Sequence, residues 1–211
     1  QDLLESDRYR RVGTFTDDTV GSGDLGFRGH VDSLKLVSLK NLNGTPLIAT
    51  DDISYLALDI SGLNATLVGL DDLLVFNAWN VAVLVNQVAV TAPAVAPAKL
   101  DWAGFTVTDG ISLPLFSTEL TEAIDLGLSG GASLNVLDGL VVMTVADFTM
   151  TLGQVSGSDG VTTLTDAQAL SVTLTDVDLW VGPGGTLDDG GSAINVNVVG
   201  TFTDDTVESG D

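Results

Sequence analysis

The sequence predicts an all-β chain that is a window on a tandem array, and three observations predict it. Residues 12–24, VGTFTDDTVGSGD, return 187 positions later as residues 199–211, VGTFTDDTVESGD, with Gly21 replaced by Glu208 and nothing else changed. Recurrence at a fixed period is the mark of a repeat architecture. Between the copies, Val, Thr and Leu alternate with polar residues at period two, the pattern of half-buried strands. Gly, Asp and Asn pairs interrupt these runs, and helical periodicity is nearly absent.

Taken in order, residues 1–11 (QDLLESDRYRR) differ in composition and read as a junction or the end of a preceding unit. Residues 12–198 form one tandem repeat, and residues 199–211 open the next. Within the repeat, Val31, Leu34, Leu36 and Leu39 begin a strand-like run, and Asn43-Gly44 is a turn signal. A weaker internal repetition follows. Residues 44–62 align with 110–130, residues 67–87 with 134–154, and residues 105–109 with 172–176. This divides the unit into about three submodules, residues 44–109, 110–176 and a remainder, where GSAINV from Gly191 echoes GASLNV from Gly131.

Inside the submodules, Val75, Trp79, Val81, Val83 and Val85 alternate with Phe76, Ala78, Asn80, Ala82 and Leu84. Leu170, Val172, Leu174, Val177, Leu179 and Val181 do much the same. Residues 118–126 (TELTEAIDL) are the one short helical candidate and read as strand, because the aligned residues 50–58 alternate. Expected turns are Ser61-Gly62, Asp71-Asp72, Asp109-Gly110, Ser129-Gly130, Asp138-Gly139 and Asp159-Gly160. Nested repeats with Gly and Asp corners favour an elongated, β-solenoid-like rod in which each coil covers the apolar face of the next. The alternative is antiparallel: 70–73 (LDDL) and 137–140 (LDGL) also read as hairpin turns, giving a meander or tandem β-sandwiches.

Composition narrows the function classes. Hydrophobic residues make up 45% of the chain, yet its formal net charge is −22. Both hold because the acid is nearly all Asp, 25 against 4 Glu, and Asp is a turn residue that leaves the ordered runs apolar. The seven basic residues are Arg8, Arg10, Arg11, Arg28, Lys35, Lys40 and Lys99, so few internal ion pairs are expected. Such a surface repels nucleic acid and anionic membranes, attracts cations and keeps a Val-rich assembly soluble. The chain has no Cys, which excludes disulfides and thiolate metal sites. No signal peptide is apparent, and no run reaches the roughly 20 apolar residues of a membrane-spanning helix.

Residues 61–86 (SGLNATLVGLDDLLVFNAWNVAVLVN) resemble repeat units in very large, repetitive surface or secreted proteins of bacteria, with a small residue and Gly, a Leu-Val-Gly, and an alternating run ending in Val and Asn. The resemblance implies an extracellular, structural or adhesive role and brings no catalytic residues. The expected partners are therefore neighbouring identical repeats or a surface ligand.

No reaction is predicted. His30 is the single histidine and lacks triad or zinc companions. Glu119 and Glu122 are an ordinary surface spacing rather than a glycosidase pair. Residues 182–191 (GPGGTLDDGG) lack the Lys-Ser/Thr of a phosphate loop and read as a corner. Trp79, Trp102 and Trp180 read as core positions. The acidic clusters are the one chemical signal. Asp17, Asp18 and Asp24, with Asp188, Asp189, Asp204 and Asp205, are candidate calcium ligands, because calcium takes six to eight oxygens from carboxylates and Gly-rich carbonyls. Neither the EF-hand spacing nor the GGxGxD nonapeptide is present. The competing reading is solvated acid that prevents edge-to-edge aggregation.

Overall fold

The computed structural model describes residues 23–44, 47–48, 52–90, 97–188 and 206–208. Six long strands form one sheet in sequence order: β1 (Gly26–Asn41), β2 (Ile53–Val68), β3 (Leu74–Val90), β4 (Ile124–Val136), β5 (Val141–Ser158) and β6 (Thr163–Val181). Every neighbouring pair is antiparallel. The architecture is thus the meander, and the solenoid expectation is corrected. A parallel coil needs a crossover after each strand, whereas most strands here end in turn residues that reverse the chain at once. Strands of 13 to 19 residues span roughly 40–65 Å at 3.3–3.4 Å per residue. Two short strands, β7 (Thr186–Asp188) and β8 (Thr206–Glu208), pair separately and lie against the β4–β6 side of the sheet.

The turns follow local chemistry. Asn43 and Gly44 take positive φ after β1, with Asn41 Oδ1 accepting from the Asn43 N–H at 2.9 Å. Between β2 and β3, the amides of Leu73 and Leu74 both donate to the Leu70 carbonyl at 2.7 Å. Between β4 and β5, Leu137, Asp138 and Gly139 are left-handed, and Asn135 Oδ1 accepts from the Gly139 N–H. Between β5 and β6, Asp159 Oδ1 accepts from Val161 and Thr162. Those two bonds favour the ionised form and hold the exposed Asp159 carboxyl below its ordinary pKa.

Two expected turns are not turns. Ser61-Gly62 lies inside β2, and Ser129-Gly130 lies inside β4. Both mark a shared mid-sheet discontinuity. The apolar spacing lengthens once from two to three in five strands: Val31 to Leu34, Ile60 to Leu63, Ala78 to Val81, Val145 to Phe148 and Leu174 to Val177. Register brings these steps together, because Leu34 pairs with Ile60, Leu63 with Val81, and Phe148 with Leu174. Gly62, Asn80 and Asp176 fall in the gaps with φ of 64°, 51° and 50°. Glycine is needed at position 62 for space as well, since a Cβ there would meet Asp32 Oδ2 at 2.0 Å. Of the residues expected to form a strand at 118–126, the first six lie in or between turns and only the last three are strand, since β4 begins at Ile124.

The long connection between β3 and β4 builds the core. Its residues Trp102 and Leu120 are buried against Val37, Ala57 and Leu84 of β1, β2 and β3, with Leu39, Tyr55, Leu100, Leu113 and Phe116 packed around them. The pin is Asn86 of β3, fully buried, whose side-chain amide donates to the carbonyls of Leu100 (2.8 Å) and Thr121 (2.9 Å) while its oxygen accepts from Trp102 Nε1 (3.1 Å). One side chain therefore ties both ends of the connection to the sheet.

Candidate interaction surface

The sheet has two outer strands, β1 and β6, and among the described residues neither has a neighbour on its outer side. An unpaired strand edge offers a row of backbone donors and acceptors to any chain that fits it. The side chains make these two edges unlike. β1 carries Arg28, His30, Lys35 and Lys40. β6 carries Asp166, Asp176 and Asp178 and no basic residue.

Two apolar rows run edge to edge. Leu36, Leu58, Val85, Leu126, Leu152 and Leu170 are successive partners, as are Leu34, Ile60, Val83, Leu128, Met150 and Val172. The two rows are two residues apart on every strand, so they share one face. Their inner members are half-buried, while Leu34, Leu36, Leu170 and Val172 at the rims are 57–64% exposed. The opposite face, between the rows, reads Lys35, Asp59, Leu84, Gly127, Thr151 and Ser171 across the sheet and carries the connection. Beside the connection it opens into a cleft lined by Asp59, Ser117, Glu119, Ser129, Thr149 and Thr151.

All three lysines pair with aspartates. Lys35 meets the buried Asp59 at 3.0 Å, and the Ser117 N–H donates to the same carboxylate oxygen at 2.9 Å. Lys40 meets the buried Asp52 at 2.6 Å. Lys99 donates to the Ile124 carbonyl at 2.9 Å and to Asp125. Burial pulls the Asp125 carboxyl up, but hydrogen bonds from Lys99 and Gln168 and the Lys99 charge outweigh it and leave its pKa lowered. Lys99 and Asn86 are the residues whose roles the sequence reading missed. The signal was there for Lys99, the single cation beyond Lys40.

Of the candidate calcium ligands, Asp17, Asp18, Asp189, Asp204 and Asp205 lie outside the described residues. Asp24 is exposed just before β1. Asp188 is in β7, opposite Thr206 of β8, the residue after Asp205. Among the described residues no three His, Cys, Asp or Glu side chains gather into a group that could hold a metal ion. His30 is exposed and hydrogen-bonds to Asp32 at 3.2 Å. Glu119 and Glu122 are both exposed, at the turn before β4. In the glycine-rich corner, the N–H groups of Gly182 and Gly185 donate to the carbonyls of Leu140 and Gly139, fastening the β6–β7 turn onto the β4–β5 turn. Trp79 and Trp102 are buried as expected, and Trp180 is partly buried, with Nε1 donating to the Gly182 carbonyl.

β8 has a further meaning. Thr206, Val207 and Glu208 belong to the recurring segment and correspond to Thr19, Val20 and Gly21. The β7–β8 ladder therefore pairs residues 186–188 with part of the recurring segment, Thr186 opposite Glu208 and Leu187 opposite Val207.

No protein-family model, curated protein or solved structure matches this chain.

Proposed function

We propose that this chain is a structural repeat of a giant extracellular bacterial protein, joined to identical neighbours into a rod or filament with a cell-surface, attachment or matrix role. The observation that carries the reading is the recurrence of residues 12–24 at 199–211. The β7–β8 ladder supports it, because it gives the recurring segment a physical job as a clasp between consecutive units. The chemistry of the surface agrees: two edges unpaired among the described residues, apolar rows that end exposed, and a charge of −22 suit assembly more than catalysis. Small-angle scattering of a chain with two or more consecutive repeats tests it. The expected result is a fixed inter-repeat distance and a length that grows linearly with repeat number. Independently tumbling beads would overturn the reading.

A calcium-dependent adhesion module is the second reading, favoured by one observation. β7–β8 pairing sets Asp188 opposite Thr206, the residue that follows Asp204-Asp205 in the sequence. Calcium bound by the folded state must raise Tm, and chelator must reverse the rise. A Tm indifferent to both leaves the structural array alone.

A further inference from the structure

We propose that consecutive repeats join edge to edge, with β6 of one copy pairing antiparallel with β1 of the next in a single defined register, so that the array is one continuous sheet. This rests on the tandem reading and deepens it by naming the surface.

Direction and chain path both fit. In a six-stranded meander β6 runs opposite to β1, so a translated copy presents its β1 antiparallel to β6. The recurrence equates Asp24 with Asp211, and β1 begins two residues beyond Asp24. The next β1 therefore starts five residues after Glu208, within roughly 18 Å of it at full extension. Glu208 is held opposite Thr186, which itself follows the last residue of β6, Val181, by five positions. The clasp thus delivers the start of the next β1 to the end of β6.

The side chains select a register. Strand alternation allows only shifts of two, since a shift of one would put the apolar rows on opposite faces. Placing Leu170 opposite Leu36 of the next copy, and Val172 opposite Leu34 of the next copy, extends both apolar rows across the junction. The same register sets Asp178 opposite Arg28, Asp176 opposite His30 and Asp166 opposite Lys40 of the next copy. Every acid of β6 then faces a cation or histidine of β1. A shift of two one way leaves Asp176 opposite Arg28 as the sole such pair. The shift the other way keeps one such pair, Asp178 opposite His30, but sets Asp176 against Asp32 of the next copy, and like charges directly opposed are unfavourable.

The test uses the full 211-residue chain extended by residues 25–198 of a second copy. The absence of native Cys allows single pairs to be introduced at exposed rim positions. One variant carries Val172→Cys in the first copy and Leu34→Cys in the second. Two controls keep Leu34→Cys in the second copy with Leu170→Cys or Leu174→Cys in the first. Directly opposed residues sit about 4.5–5.5 Å apart and those two positions off about 7–8 Å, beyond the usual disulfide span of about 4.4–6.8 Å. The Val172 pair is expected to oxidise at least ~10-fold faster than either control, because the sheet holds the two thiols at high effective concentration. Asp178→Arg in the first copy should abolish that advantage, and Arg28→Asp in the second copy should restore it. Equal rates for all three pairs, or a faster control, overturn the register. Scattering of the same two-copy chain separates the two failures. A fixed inter-copy distance without the cross-link preference sinks the edge pairing alone, whereas independent tumbling sinks the array as well.

Discussion

Replacing Asn86 by alanine isolates the part of this fold that a bare sheet does not explain. The side chain is fully buried and makes three hydrogen bonds, donating to Leu100 and Thr121 carbonyls and accepting from the Trp102 indole. The truncation orphans a buried indole N–H and two carbonyl oxygens. An unsatisfied buried group costs about 1–3 kcal/mol. Allowing for partial rescue of the carbonyls by solvent, the loss should be about 3–5 kcal/mol, a large share of the roughly 5–15 kcal/mol that typical domains possess. Urea titration followed by tryptophan fluorescence reads this as a drop in midpoint, with Trp102 as the reporter at the site. Asn86→Asp sharpens the argument. It keeps the acceptor for Trp102 but turns a second oxygen toward two carbonyls, in a buried place. Both effects raise the carboxyl pKa in the folded state. The deficit relative to wild type should therefore be greatest near about pH 7 and shrink toward about pH 4.5, where the protonated carboxyl can donate to one carbonyl. A loss below about 1 kcal/mol for Asn86→Ala, or a deficit for Asn86→Asp that ignores pH, would refute the pin.

Three further outcomes follow from the packing. Gly131→Ala would bring a Cβ to 2.1 Å from the Trp79 ring, whereas Gly157→Ala meets nothing within 4 Å; thermal unfolding should show a loss of about 2–3 kcal/mol for the first and near neutrality for the second. Leu120→Ala removes a fully buried side chain from a small core and should cost about 2–5 kcal/mol in the same assay. Burial raises the Asp125 carboxyl, but its hydrogen bonds from Lys99 and Gln168 outweigh that and hold it below its ordinary pKa, so its contribution is present above the ordinary value and lost as pH falls through the lowered one. Asp125→Asn should flatten that acid limb of the urea midpoint plotted against pH, and an unchanged limb would show that the Lys99 contact contributes nothing.

Much of the fold was legible because strand periodicity and turn chemistry are local. The runs at 75–85 and 170–181 are strands, and the Asp-rich pairs at 71–72, 138–139 and 159–160 reverse the chain. Ser61-Gly62 and Ser129-Gly130 misled for a physical reason. Glycine in a strand marks a bulge or a close approach as readily as a turn, and here both sit on the mid-sheet line where apolar spacing lengthens. That line was itself visible as the step from Leu174 to Val177, but one strand alone cannot show that its neighbours share it. The preference for a solenoid over a meander failed because strand direction depends on which residues meet across the sheet, which composition does not encode. The role of Asn86 was hidden for the same reason: its partners lie 14 to 35 residues away.

The acid that dominates the composition and the open edges of the sheet are answers to one problem. Among the described residues the sheet leaves two long edges unpaired, and such edges with exposed apolar rims are prone to indiscriminate strand pairing. A net charge of −22 repels separate copies over about a Debye length, roughly 8–10 Å at ordinary ionic strength. Under the edge-to-edge joining proposed above, this repulsion weighs less on the neighbour in the same chain, because a short tether raises its effective concentration to the millimolar range and its β1 brings Arg28, a cation of the kind β6 lacks. On that proposal, charge and tether together discriminate one partner from all others, which reconciles a sequence so acidic with one so apolar. Raising the salt concentration should erode that discrimination from the intermolecular side: the full chain at about 1 M NaCl should self-associate more in sedimentation velocity than at about 0.05 M, since screening removes the repulsion while leaving the apolar rows attractive. Weaker association at high salt would mean that the acid–cation contacts, not the apolar rows, supply most of the attraction between copies.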